Sequence, residues 1–157
     1  MRQAKQPKES LKILNTREKK EVNKKIQQQW GCELDRSFVF LLSNKNKLYV
    51  ADKDIGSIDT SKLRVDNVGL YVATIDHKGT RLSIEGSQIL GPDAKKNVID
   101  IDAQELREWF RGNDLEKQTD TREFVILKHN NDFVGCGKST EKGILNFVPK
   151  TRRILSD

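Results

Sequence analysis

The chain has 157 residues, 35% of them hydrophobic, 33% charged, with a formal net charge of +6. That length suits one domain or two compact halves of roughly 80 residues, with a modest core beneath a heavily charged surface. No apolar run is long enough to cross a membrane as a helix, which needs about 20 residues, and the basic first residues have no apolar stretch behind them, so neither a membrane partner nor a secretion signal is expected.

Residues 1–10 are polar, contain Pro7 and are expected to fray. Asn15 and Glu18 then stand at capping-box spacing, opening a helix. Val22, Ile26 and Trp30 fall on one face of that helix, Lys-rich residues on the other, and Gly31 stops it. Residues 37–42 and 47–51 are strand-like and flank a polar turn, which predicts a hairpin. Residues 67–75 and 81–85 predict a second hairpin around Asp76 and Gly79, with Leu82 and Ile84 alternating against Arg81, Ser83 and Glu85 as in a sheet wet on one face. Gly91, Pro92 and Asp93 break the chain, and the expected internal boundary lies there, giving units 1–93 and 94–157.

The second unit opens with a short strand at residues 97–101. Asp102 caps a helix over 103–111 whose apolar face is Ala103, Leu106, Trp109 and Phe110, and Gly112 ends it. After a polar crossing, residues 123–128 are apolar on both faces and predict a central strand. Residues 129–132 form a turn, and 133–139 and 144–148 are two further strands around Gly143. Strand, helix, then three strands is an α+β or small-barrel order rather than an alternating α/β one.

Charge is segregated along the chain. Residues 1–29 hold nine basic side chains against three acidic ones, which accounts for the whole +6, and a second local excess comprises Lys138, Lys142, Lys150, Arg152 and Arg153. Such clustering suits a polyanion, most commonly nucleic acid. A merely solvated tail and helix is the competing reading.

The stretch at 132–140, DFVGCGKST, resembles the tail of a phosphate-binding P-loop, but Asp132 stands where that pattern requires its first glycine, and the chain continues into another strand instead of a helix. A catalytic Cys136 would need a base, and His129 faces it only across a turn; with Asp132 these residues make an alternative enzyme reading, against which stands a buried thiol acting as a small hydrophobe. Cys32 and Cys136 are too few and too far apart for a zinc site, no other metal spacing occurs, and reduced thiols in a cytoplasmic protein are expected. Asp100 and Asp102 are explained by capping. No cofactor is expected. The remaining signal is basic residues interleaved with aromatic and small ones on the last strands. Gly135 and Gly137 would let a nucleic-acid backbone approach Lys138, and Pro149 would mark a rim carrying Lys150, Arg152 and Arg153.

Residues 97–101, the helix to Gly112 with Asn113, Asp114 and Leu115 after it, and strands 124–128 and 133–138 together resemble a PUA domain, the small RNA-binding barrel of pseudouridine synthases and archaeosine transglycosylases. The segments DFVGCGK at 132–138 and ILNFVPKTRR at 144–153 more narrowly resemble the PUA-like tail of Fmu/Sun-type rRNA 5-methylcytosine methyltransferases, a module also found in stand-alone archaeal ribosome-biogenesis proteins. This specific likeness covers residues 97–153; the first half is similar only in layout to the domain that precedes PUA in small ribosome-biogenesis factors. The resemblance implies an α+β protein, an N-terminal mixed sheet domain followed by a PUA-like small β-barrel with a packed helix. It implies RNA binding, to rRNA before tRNA, by a basic rim at Lys138, Lys150, Arg152 and Arg153. The local charge adds Lys142 and Lys128 to that rim, and Lys19, Lys20 and Lys24 on the first helix as a second contact. The sequence has neither the Pro-Cys nucleophile motif of those methyltransferases nor a βαβ pattern to hold S-adenosylmethionine, so a non-catalytic role in ribosome biogenesis or RNA modification is expected. The alternative is an adaptor that recruits a separate RNA methyltransferase or assembly factor through a partly exposed apolar face at Trp109 and Phe110.

Overall fold

The computed structural model describes residues 10–53 and 69–155. Most of the expected fraying segment, and positions 67 and 68 of the expected third strand, lie outside the described residues. The described chain starts with an unanticipated short strand, β1 (Leu11–Ile13), and enters helix α1 (Thr16–Trp30) through the expected capping box. The Asn15 side chain accepts from the Glu18 amide at 2.9 Å, and the Glu18 carboxylate accepts from the Asn15 amide at 3.2 Å. Gly31 closes the helix in the left-handed region, φ 71°, where it pays no Cβ penalty.

The buried stripe of α1 is Val22, Ile26 and Trp30 as the periodicity predicts, with Asn23 beside them. Asn23 donates to the Leu34 carbonyl at 3.0 Å and accepts from the Leu34 amide at 2.8 Å, so a buried backbone segment outside any ladder is satisfied by one side chain. Burying an aromatic side chain such as Trp30 removes on the order of 200 Å² from water, ~5 kcal/mol of gross hydrophobic gain.

Strands β2 (Val39–Ser43) and β3 (Lys47–Ala51) form the first expected hairpin, and β4 (Leu70–Asp76) and β5 (Gly79–Leu82) the second. Together the five make an antiparallel sheet in the order β1-β2-β3-β4-β5. The expected strand over 81–85 is corrected at its second half, because after Leu82 the chain turns into helix α2 (Ile84–Leu90). Ser83 is the reason: its hydroxyl accepts from the Gly86 amide at 2.9 Å and donates to the Tyr71 carbonyl at 2.7 Å, capping the helix and pinning it to β4. Gly86 completes the contact, since a Cβ there would stand 2.0 Å from the Val72 carbonyl oxygen. The break at Gly91–Asp93 is a single 3-10 turn.

The second sheet follows the expected order. Strand β6 (Val98–Asp100) leads to α3 (Ala103–Phe110), then β7 (Phe124–His129), β8 (Asp132–Thr140) and β9 (Gly143–Leu145). The strands lie in the order β6-β7-β8-β9, with β6 parallel to β7 and the other pairs antiparallel. Asp102 and Glu105 form a second capping box at α3. Strand β7 is central and buried through Leu127, as its doubly apolar pattern predicts. Residue 93 separates the two sheets, and both main core clusters draw from either side of it. One joins Ile26, Trp30, Phe40 and Leu82 to Phe124, Ile126 and Cys136; the other joins Ile84 to Ile101, Trp109, Val125 and Ile144.

Candidate nucleic-acid interface

Gly135 and Gly137 were expected to clear space for a polyanion. Much of that space is taken from within. A Cβ on Gly135 would stand 3.1 Å from Nε1 of Trp109, and one on Gly137 would stand 2.5 Å from Cγ2 of Ile144 and 3.0 Å from the Trp109 ring. Trp109 is fully buried, donating Nε1–H to the Val134 carbonyl at 3.1 Å. The two glycines admit the indole of α3 onto β8. The same burial removes Trp109 from the apolar face that the adaptor reading invokes and leaves there only the half-buried Phe110.

The thiol site does not assemble either. Register places Cys136 opposite Ile126 and His129 opposite Asp132, and the His129 ring donates Nδ1–H to the Ile101 carbonyl at 3.0 Å. Desolvation by burial pushes the Cys136 thiol up to about 12, with nearby Arg81 and Lys138 offsetting this only in part. A thiol held protonated is neither nucleophile nor metal ligand. Among the described residues no three His, Cys, Asp or Glu side chains are grouped to hold a metal, and no helix is long and apolar enough to cross a membrane.

The nine expected contact residues fall in several places. Lys138, half-buried on β8, sits with its ammonium 4.7 Å from the centroid of Phe124, its partner across the ladder. Lys128 lies at the opposite end of the same strand pair, 5.7 Å over Phe133. Lys142, in the turn between β8 and β9, and Lys150, in a 3-10 turn, are exposed. Arg152 is ion-paired with Glu85 at 2.5 Å. Arg153 donates Nε–H to the Val148 carbonyl at 3.1 Å and packs over Gly112, so part of its work is structural. On α1, Lys19 turns inward to the carbonyls of Arg36 and Phe38 at 3.0 and 2.6 Å, whereas Lys20 and Lys24 are exposed and line a shallow depression with Arg36.

The fold also gathers residues that sequence reasoning missed. Lys47, Thr74 and Arg81 are successive register partners across β3, β4 and β5, so their side chains share one face of the sheet. The Arg81 guanidinium stands 4.6 Å from the centroid of Phe147, and the Phe147 and Phe124 rings are 6.0 Å apart. Lys47 lies 5.5 Å over Tyr71. Arg81, Phe147, Phe124 and Lys138 thus form a run of cations and rings across the two sheets, and Lys47 with Tyr71 stands beside it, one strand beyond Thr74. Beside this run lies a groove of about 380 Å³, lined by Lys47, Tyr71, Arg81, Phe147 and Arg152 and by the backbone at Gly135. The only local signal was Arg81 in a strand-like segment; its partners lie on other elements far away in sequence.

The second sheet with its packed helix, built from strand, helix and three strands, carries a PUA-like domain. Residues 96–154 match the family model described as the methyltransferase RsmF PUA domain. The chain is also similar to ribosomal RNA small subunit methyltransferase F of Vibrio atlanticus, 24% identical over 135 residues, covering 82% of this chain and 28% of that protein. The same enzyme of Vibrio cholerae is 25% identical over 134 residues, covering 80% and 28%. That of Aeromonas salmonicida is 31% identical over 91 residues, covering 57% and 19%. The chain therefore spans less than a third of the length of these curated relatives. An alignment of 135 residues reaches into the first half of the chain, further than the expected likeness over 97–153.

Proposed function

We propose that this chain is a non-catalytic RNA-binding protein acting on rRNA, in ribosome biogenesis or rRNA modification, in the cytoplasm. The observation that carries the reading is the placing of Lys47, Arg81 and Lys138 over aromatic rings at the edge of a segment that matches the RsmF PUA domain. The named relatives are rRNA methyltransferases, which supports rRNA over tRNA. Phosphates are gripped by Lys138, Lys142 and Lys150, with Arg152 and Arg153 at the rim, while Lys20 and Lys24 on α1 supply a second contact. Each neutralised phosphate releases condensed counterions, so binding is strongly salt-dependent.

Titrating small-subunit rRNA fragments at increasing salt tests the reading. The logarithm of the affinity falls linearly with the logarithm of salt concentration, with a slope of roughly 0.7 to 0.9 per phosphate neutralised. A flat response removes RNA binding. Incubation of the chain alone with rRNA and labelled S-adenosylmethionine gives no methyl incorporation; measurable incorporation overturns the non-catalytic half of the proposal.

A further inference from the structure

We propose that the groove between β5 and the segment following β9 receives an unstacked nucleobase of single-stranded or bulged RNA, a statement that rests on the RNA-binding reading above. Duplex RNA keeps its bases stacked inside and offers phosphates and 2′-hydroxyls, for which aromatic side chains have no use. This groove is lined by two half-buried aromatic residues, Tyr71 and Phe147, together with cations. Arg81 is already held at stacking distance from Phe147, 4.6 Å, and its planar guanidinium presents a face on which a base can lie. Its volume of about 380 Å³ falls within the range of about 300–1,000 Å³ typical of small-ligand sites.

Charge fits the same occupant. Glu85 also lines the groove, but Arg152 pairs with it at 2.5 Å, leaving Lys47 and Arg81 as a positive excess for the flanking phosphates. The larger cavity beside α1, about 540 Å³, makes a useful contrast. It is lined by Lys25, Lys96 and His77 but also by Asp76 and Glu123, and no aromatic ring of Phe, Tyr or Trp borders it. Its one stacking ring is the His77 imidazole, against the two aromatic rings and the Arg81 plane of the groove.

The test compares a labelled single-stranded oligoribonucleotide of about ten nucleotides with its duplex and with versions carrying one abasic ribose at successive positions. The intact single strand binds more tightly than the duplex, and one abasic position costs about tenfold. Arg81→Lys, which keeps the charge and loses the plane, weakens single-strand binding about tenfold with an unchanged salt slope. Phe147→Leu weakens it similarly, with thermal melting used to verify folding. The proposal is overturned if Arg81→Lys leaves single-strand affinity unaltered, or if duplex binds as tightly as single strand. Duplex binding alone sinks the base-pocket assignment and leaves the RNA-binding reading standing. Absence of binding to either RNA sinks both.

Discussion

The indole of Trp109 lies against Gly135, with Nε1 3.1 Å from the point a Cβ would occupy. Gly135 also has φ +142°, a backbone conformation that side chains with a Cβ rarely adopt. Gly135→Ala is therefore expected to destabilise the protein by about 1–3 kcal/mol. At about 2–4 °C per kcal/mol for a chain of this size, melting followed by circular dichroism reads the loss directly. An unchanged melting temperature would contradict the packing described.

Asn23 holds the Leu34 amide and carbonyl at once, at 2.8 and 3.0 Å. In Asn23→Ala both backbone groups lose their partner in a buried setting, at a cost of about 1–3 kcal/mol for each group left unsatisfied. Chemical denaturation should show a lower midpoint for Asn23→Ala than for an exposed control such as Gln27→Ala on the same helix.

The two thiols give a pH dependence with a definite sign. Burial raises Cys32 to about 11 and Cys136 to about 12, above the ordinary value of 9.0. The unfolded chain therefore releases these protons first. The contribution to stability is fully present below about pH 9 and is lost as pH rises towards 11 and 12. Replacing both cysteines by alanine or valine should flatten that alkaline decline. Iodoacetamide at neutral pH should label neither thiol in the folded protein and both after denaturation.

The two basic faces can be separated by charge reversal at exposed positions. Lys142→Glu with Lys150→Glu should weaken rRNA binding about tenfold or more and reduce the salt slope by about two phosphates' worth. Lys20→Glu with Lys24→Glu should produce a smaller loss if α1 is the secondary contact. An equal loss from both pairs would make α1 part of the primary surface.

Local chemistry determined much of this protein. Asn15 with Glu18, and Asp102 with Glu105, specify two helix starts through hydrogen bonds between residues three positions apart, and no distant contact is needed to read them. The apolar residues of 123–128 likewise announced a strand covered on both faces, and β7 is that strand. The likeness of the last third to a PUA-like domain was legible in the segments DFVGCGK and ILNFVPKTRR, and residues 96–154 match such a domain. Helix α2 was not legible, because Leu82 and Ile84 alternate like strand residues and Gly86 argues against a helix. Only the docking of that helix onto the Val72 carbonyl requires the glycine, and only then does Ser83 become a cap.

The same limit applied to the candidate site. Gly135 and Gly137 showed in sequence that side chains were missing, but whether an RNA backbone or an indole fills the space depends on where α3 packs. Arg81 and Phe147 are 66 positions apart in sequence, and neither signals the other locally. Their contact, and the placing of Lys47 and Arg81 on one face, arise from the register of β3, β4 and β5 and from the core shared by the two sheets. Capping, periodicity and net charge are properties of neighbouring residues and can be read in sequence; a surface assembled from several strands is a property of register and packing, which the folded chain alone decides.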